Sequence, residues 1–472
     1  MGNDRDDRLG AGDSEVEPGL GAEPSKNDAS AAALPRVDAL VDQIRERLVA
    51  DRRDFHRYAE TGWQEFRTAS RIGRRLADLG LDVAIGEDVV DAGARMGLPE
   101  HETLDAAWMR ASEQGGDPEY LRAVQGGFTG VVGTLVCGRG PTVAVRHDID
   151  ALDLEESNVP AHRPMREGFR SVNPGASHAC GHDGHAAIGL GLAEVLVGLR
   201  DSLSGTVKLI FQPAEEGVRG AKAMVAAGVV EGVDALLGLH LYSGWPTGRV
   251  APGKGGFLAT SKFDAHFSGA PAHAGGAPHL GRNAMLAAAT AVLNLHAIPR
   301  HGDGTTRINV GRLVAGQGRN VIAPTAYLAI ETRGATSELN DYMVDAARRV
   351  LLASAAMYGC ELDVRPMGEA RSAVSDVDLA ERIGRLATGC LGYDLHTASS
   401  GSGSEDFTFM MHRVQQQGGL ATSIGFGADQ GGYGHHTAEF DFDEAALALA
   451  VRLLALAVVD LHQGTCLDGS NA

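Results

Sequence analysis

The sequence is short of several things, and each shortage closes off a class of protein. Basic side chains are outnumbered: 42 Lys and Arg stand against 61 Asp and Glu, a formal charge of −19 over 472 residues. Sequence-independent nucleic-acid binding rests on cations that neutralise phosphates, so no nucleic-acid partner is expected. Lysine occurs only at Lys26, Lys208, Lys222, Lys254 and Lys262, a bias of a GC-rich genome that says nothing about function. The five cysteines, Cys137, Cys180, Cys360, Cys390 and Cys466, are scattered, odd in number and free of any CxxC pair. A disulfide framework is not expected, and the cytoplasm is the expected compartment. No apolar run is seen to reach the roughly 20 residues a bilayer demands, so no membrane partner is expected. The opening MGNDRDDRLG is charged and has no apolar stretch behind it, so it does not read as a secretory signal. Asp6 stands where a myristoylation motif needs Ser or Thr.

What is present is ordinary for a globular enzyme: 44% hydrophobic and 22% charged residues, in a chain long enough for two domains. Residues 1–33 are rich in Gly, Asp, Glu and Ser and read as a disordered acidic tail. Helical periodicity begins near Val37 and returns in EFRTASRIGRRLADLG at 65–80. Residues 86–127 read as an insertion of short helices joined by Gly and Pro turns. Four apolar runs follow, FTGVVGTLVCG, PTVAVRHDID, GTVKLIFQPAEEG and VDALLGLHLYS, with helical text between the later ones. That alternation predicts an α/β sheet. From about 257 to 367 the order becomes β-α-β-β-α-β, the split βαβ or ferredoxin-like arrangement. The expected layout is a catalytic domain in two parts, 34–256 and 368–472, with 257–367 inserted as a smaller domain.

Chemistry-bearing residues recur at one position in this pattern, the ends of strands. TVAVRHDID ends in Asp148 and Asp150, KLIFQPAEE in Glu215 and Glu216, and ALLGLHL in His240. Ligands of open α/β sheets gather at the carboxyl ends of strands. SHACGHDGH at 177–185 places Cys180, His182, Asp183 and His185 between a Gly/Pro loop and a helix start, and GYGHHTAEFDFDE offers His435 and His436. Taken singly, each has a plain alternative: a capping turn, a solvated acid pair, a core histidine. Taken together they assemble thiolate, imidazole and carboxylate groups, the ligands of Zn²⁺ and, with more oxygen, of Mn²⁺. They outnumber the needs of one tetrahedral ion and favour a site for two divalent metal ions. Adjacent residues leaving a strand point in different directions, so one of Glu215 and Glu216 can bind metal while the other serves as a general base.

At these residues the sequence resembles the metal-dependent aminoacylase/carboxypeptidase family, in its amidohydrolase branch. The resemblance covers about residues 37–462 and is carried by RHDIDAL, HACGHDGH, FQPAEEG, GLHL, GAPAHAG, GQGRNVIAP, GSGSEDF and HHTAEFDFDE, in that order. It implies an α/β, zinc-peptidase-like mixed sheet flanked by helices, with an inserted ferredoxin-like α+β lid and dimerisation domain. It implies Cys180, His182, Glu216, His240 and His436 as metal ligands, with Cys180 bridging both ions and Glu215 as the base. Asp150 is implied as an orienting residue behind the ligands, and His273 as a lid residue that steadies the oxyanion across a dimer. Asn320 and Arg333 are implied to hold the substrate's carboxylate side. The preference for His436 over His435 rests on spacing to Phe440 alone. The metals are expected to be Mn²⁺ or Zn²⁺. The assembly is expected to be a homodimer or a heterodimer with a related subunit. The implied reaction is hydrolysis of the amide of an acyl-amino acid. The 86–127 insertion and RHDIDALDLEES, where Asp153 stands in place of the usual Pro of the branch, resemble the members of the branch that act on p-aminobenzoyl-glutamate, and that resemblance implies the same substrate. Two alternatives stand beside this: another N-acyl-amino-acid hydrolase or dipeptidase of the same chemistry, and a weakly active subunit of a hetero-oligomer.

Overall fold

The computed structural model describes residues 28–396, 403–431 and 433–463, and in it the apolar runs form two separate sheets. In chain order the strands are β1 (Asp82–Ile85), β2 (Val131–Val136), β3 (Thr142–Asp148), β4 (Thr206–Gln212), β5 (Ala235–Tyr242), β6 (Val250–Ala251), β7 (Ala259–Ser268), β8 (Thr306–Ala315), β9 (Thr325–Gly334), β10 (Glu361–Ala370) and β11 (Leu420–Gly427). The larger sheet has the order β1-β2-β4-β3-β5-β11-β6, and β4, β3, β5 and β11 run parallel at its centre. The smaller sheet, β10-β7-β9-β8, is antiparallel throughout and carries the helices Ala284–His296 and Ser337–Met357. Its β-α-β-β-α-β order is the ferredoxin-like arrangement read from the sequence. The whole is a mixed α/β fold with a second sheet, as expected.

Helix 182–198 is apolar all round because it is buried all round, packed on β3 beneath helices 28–57 and 445–463. Gly191 permits the closeness: a Cβ there would lie 2.3 Å from Leu48. Helix Ala445–Gln463, legible in the sequence as a helix, is long and apolar enough to cross a bilayer by length and composition, against the expectation that no run reaches that length. Here it is a core helix, with Leu453, Leu454, Leu456, Val458 and Val459 wholly buried.

Helix Asp28–Arg57 starts well ahead of Val37, so 28–33 belong to it and not to a tail. The Ala-rich ASAAAL is strong helix-forming text, and Ala33 and Leu34 pack on the core. The rest of the expected tail, residues 1–27, lies outside the described residues, as do Cys466 and 401–402 of GSGSEDF. Strands β1 and β11 and the helix Phe407–Gln416 were not read. LATSIGFG is buried along most of its length, and a run buried on both faces has no alternation to betray a strand.

A buried ionic network pins helix 182–198 in place. Arg52, wholly buried, donates to Asp183, Asp441 and Glu444, and His56 bonds Asp183 and Glu156. Burial alone would raise the Asp183 carboxyl, but Arg52 and His56 outweigh it and hold the group well below the usual carboxylate range. Its stabilisation is therefore fully present above the unfolded pKa of about 4 and is lost as pH falls toward the folded value. Asp183→Ala strands Arg52 and His56 without their shared partner, and urea unfolding at pH 7 is expected to show a loss of about 3–5 kcal/mol.

Candidate metal centre

The parallel strands bring the strand-end residues to one edge of the larger sheet. Asp148 closes β3, Glu215 and Glu216 follow β4, and His240 lies near the end of β5. Cys180 and His182 meet them from the start of helix 182–198. Among the described residues five groups of potential ligand atoms result, each within 4.8 Å, and two of them meet at Cys180: Cys180 with His182 and His240, and Cys180 with Glu216 and His436. They share the thiol. Glu215 joins His182 and Glu216 in a third such group. The buried His182 Nε2 and Glu216 Oε1 have no hydrogen-bond partner among the described residues. A buried polar atom left unpaired is costly, and these two are aimed where cations would satisfy them, so the residues fit a metal centre.

The hydrogen bonds behind the cluster fix which ring nitrogens face it. His182 Nδ1 donates to the Asp150 carbonyl at 2.9 Å, so Nε2 points inward. His240 Nδ1 donates to the Leu241 carbonyl at 2.7 Å, which turns Nε2 toward the Cys180 Sγ at 3.6 Å. The Leu241 N–H donates to His185 Nε2 at 2.9 Å, so the proton of His185 sits on Nδ1, against Asp148. Ser243 N–H donates to His435 Nε2 at 3.4 Å, leaving a protonated Nδ1 toward Cys180 at 3.6 Å. The Asp150 carboxylate accepts the backbone N–H of Glu215 at 3.0 Å and of Glu216 at 2.9 Å.

The backbone here is strained. Ala214 (φ 51°), Val218 (φ 61°) and His436 (φ 62°) all occupy the left-handed region, which a β-branched residue rarely enters. The loop after β4 folds so tightly that a Cβ on Gly220 would lie 1.7 Å from the Pro213 carbonyl. Strain of this kind persists only where surrounding contacts impose it.

Charge is crowded to match. Burial, then the neighbouring Glu405, Glu216 and Asp406, push Glu215 well above the usual carboxylate range. Burial raises Glu216 to about 7 and raises the Cys180 thiol as well. Burial, then His185, keeps His240 neutral, the form that binds metal. His182 is opposed by burial but made more basic by Asp148 and Asp150.

Three carboxylates of this site escaped the sequence reading. Glu65, buried and raised to about 8 by burial and Asp150, accepts from the Ala214 N–H at 2.7 Å and Thr129 Oγ1 at 2.6 Å. Glu405 and Asp406 form a cluster with Glu215, and Arg146 sits among them, 3.0 Å from Glu405 and 2.6 Å from Asp148. GSGSEDF was a visible motif without an assigned role. Glu65 carried no signal, since one glutamate at a helix start looks like any other.

His273, Asn320 and Arg333 lie on the smaller domain, and none of them falls in a ligand group of the cluster among the described residues. His273 is exposed, and its Nδ1 accepts N–H bonds from Gly275 at 3.1 Å and Gly276 at 2.9 Å, leaving Nε2 outward. It bridges to Val321, beside the exposed Asn320. Arg333, on β9, pairs with Glu331 at 3.0 Å.

Comparison with known proteins places this geometry. The chain is 50% identical to indole-3-acetyl-aspartic acid hydrolase of Enterobacter agglomerans, covering 90% of this chain and 98% of that one. It is 48% identical to one of the subunits of p-aminobenzoyl-glutamate hydrolase from Escherichia coli strain K12, covering 89% and 97%. Among solved structures, the aminobenzoyl-glutamate utilization protein of Klebsiella pneumoniae matches with a TM-score of 0.78 at 45% identity, over 90% of this chain and 98% of that one. A dinuclear metal-binding peptidase of the M20 family from Bacillus subtilis matches with a TM-score of 0.62 at 26% identity, over 89% and 99%. The family model for peptidase family M20/M25/M40 matches residues 144–460. The chain belongs to that family.

Proposed function

We propose that the protein is a dinuclear metal-dependent amidohydrolase that cleaves an aromatic acyl group from an acidic amino acid, with p-aminobenzoyl-glutamate as the first substrate. The observation that carries this reading is the pair of ligand groups that share Cys180, with Glu215 beside them. Cys180, His182 and His240 would hold one cation, and Cys180, Glu216 and His436 the other. His436 is favoured over His435 because the Nε2 of His435 already accepts from Ser243. Two divalent cations, Mn²⁺ or Zn²⁺, would polarise the scissile carbonyl and acidify a water.

Glu215 does the proton work. Its carboxylate takes a proton from the attacking water and returns it to the departing amine nitrogen, so glutamate leaves as the amine and p-aminobenzoate as the acid. Asp150 supports this by holding the backbone of Glu215 and Glu216, and Asp148 by orienting His185. The outward Nε2 of His273 suits donation to the oxyanion. Asn320 and Arg333 suit the substrate's carboxylate side, an Arg fork matching carboxylate geometry.

His273 needs a route to the cluster, and pairing of two chains would supply it. β8 is an edge strand with Leu313 and Val314 exposed, and helix 284–296 exposes Met285, Leu286 and Leu293 on the same domain. An apolar edge of this kind invites a partner strand, either a second copy or a related subunit. The free cysteines Cys137, Cys180, Cys360 and Cys390 favour a cytoplasmic home.

The relative that acts on an indole-3-acetyl-aspartate conjugate favours a second reading, in which the acyl group is indole-3-acetyl. Both substrates should be offered to the purified chain with Mn²⁺, with Zn²⁺ and with a chelator, following release of the free acid. Metal-dependent release from p-aminobenzoyl-glutamate is expected, and faster release from the indole conjugate would reassign the acyl group. Glu215→Gln should retain about two metals per chain while kcat drops about 10²–10⁴-fold; loss of metal would make Glu215 a ligand. Cys180→Ala should lower metal content for both ions together, read by elemental analysis. Val314→Lys on the β8 edge should give a smaller species in sedimentation, with activity falling alongside if His273 acts across the pair.

A further inference from the structure

Among the described residues, one cation beside the cluster has no carboxylate within ion-pair distance. Lys254 follows β6 and is 8% exposed. Its ammonium bonds the Tyr242 hydroxyl and lies 4.1 Å from the Tyr242 ring centre, 5.7 Å from Phe257 and 6.0 Å from Trp245. Aromatic faces hold a cation without neutralising it. Among the described residues, Lys254 makes no ion pair. Arg146, which feels the charge of the base Glu215, is already committed to Asp148, Glu405 and Gln212.

The position of this ammonium is tied to the metal centre. Residues two apart on a strand share a face, so Tyr242 projects from β5 on the same side as His240. The two rings are 4.9 Å apart, and Tyr242 lies 5.7 Å from His435. Trp245 stacks on Tyr242 at 4.4 Å and on His396 at 4.0 Å. Burial lowers the Lys254 pKa, the charges of Glu405 and Cys180 oppose that shift, and His435 feels the charge of Lys254 in turn. A buried, unpaired cation is costly unless an anion completes it.

We propose that Lys254 is the specificity-determining residue that receives the side-chain carboxylate of the acidic amino acid, an inference that rests on the hydrolase reading above. An N-acyl aspartate or glutamate carries two carboxylates. Arg333 and Asn320 are assigned to one, and the other needs its own cation. Lys262, the other lysine whose charge reaches the cluster, sits half-exposed on β7 and is under no comparable pressure to find an anion.

The test compares p-aminobenzoyl-glutamate with p-aminobenzoyl-glutamine, which has the same shape and a neutral side chain. Wild-type enzyme, loaded with Mn²⁺, is expected to prefer the glutamate substrate. Lys254→Met should raise KM for that substrate about 10- to 100-fold and leave the glutamine substrate nearly untouched, with metal content unchanged. Lys254→Arg should recover most of the preference. If Lys254→Met does not fold, Tyr242→Phe removes the hydroxyl that seats the ammonium and should narrow the same preference. Equal loss on both substrates, an unaltered preference in either variant, or no preference in the wild type would overturn the assignment. Wild-type enzyme that cleaves neither amide at full metal content would instead overturn the hydrolase reading.

Discussion

Asp150 ties together three segments that are far apart in the chain. Its carboxylate accepts the N–H groups of Glu215 and Glu216, and its carbonyl accepts the ring N–H of His182. Strand β3, the loop after β4 and the start of helix 182–198 therefore converge on one residue. The inward aim of His182 Nε2, the separation of Glu215 from Glu216 and the strained turn at Ala214 all depend on it. Glu65 repeats the device from the other side by accepting the Ala214 N–H.

This frame concentrates negative charge where burial penalises it. Glu65 and Asp406 are raised to about 8 and about 7, and burial drives Glu215 well above its ordinary range too. Arg146 balances part of the charge from within, and the remaining demand is for cations from outside. The same logic extends to Lys254, whose positive charge sits near the cluster but is cushioned by aromatic rings. The site is electrostatically unfinished in two senses: as proposed above, divalent metal answers it on one side and an anionic substrate group on the other.

The rest of the chain divides its labour accordingly. Helices 28–57, 182–198 and 445–463 build a dry core that fixes the helix carrying His182 and His185. Arg52 and Asp183 lock that arrangement with a buried ion pair. Asp183, which looked in SHACGHDGH like one more metal-seeking group, is thus spent on the fold. The smaller domain carries His273, Asn320 and Arg333 on separate scaffolding, the first two on loops and the third on β9.

Much was legible in the residues themselves. The strand-end placement of Asp150, Glu215, Glu216 and His240, and the metal-seeking run around Cys180, follow from local pattern, because strand periodicity and turn chemistry are written within a few residues. The β-α-β-β-α-β order of the smaller sheet was legible for the same reason. Strand β11 was not, because a buried central strand has no polar face to mark it. The roles of Glu65, Glu405, Asp406 and Lys254 were also hidden. Each depends on residues dozens to hundreds of positions away, as when Arg146 meets Glu405, or on a loop that folds back, as when Lys254 meets Tyr242. The sequence by itself determined which chemical groups stand at the ends of its strands. Only the tertiary structure decided which nitrogen of each histidine faces the site and which charges are left without a partner, because both are set by hydrogen bonds and burial between distant segments.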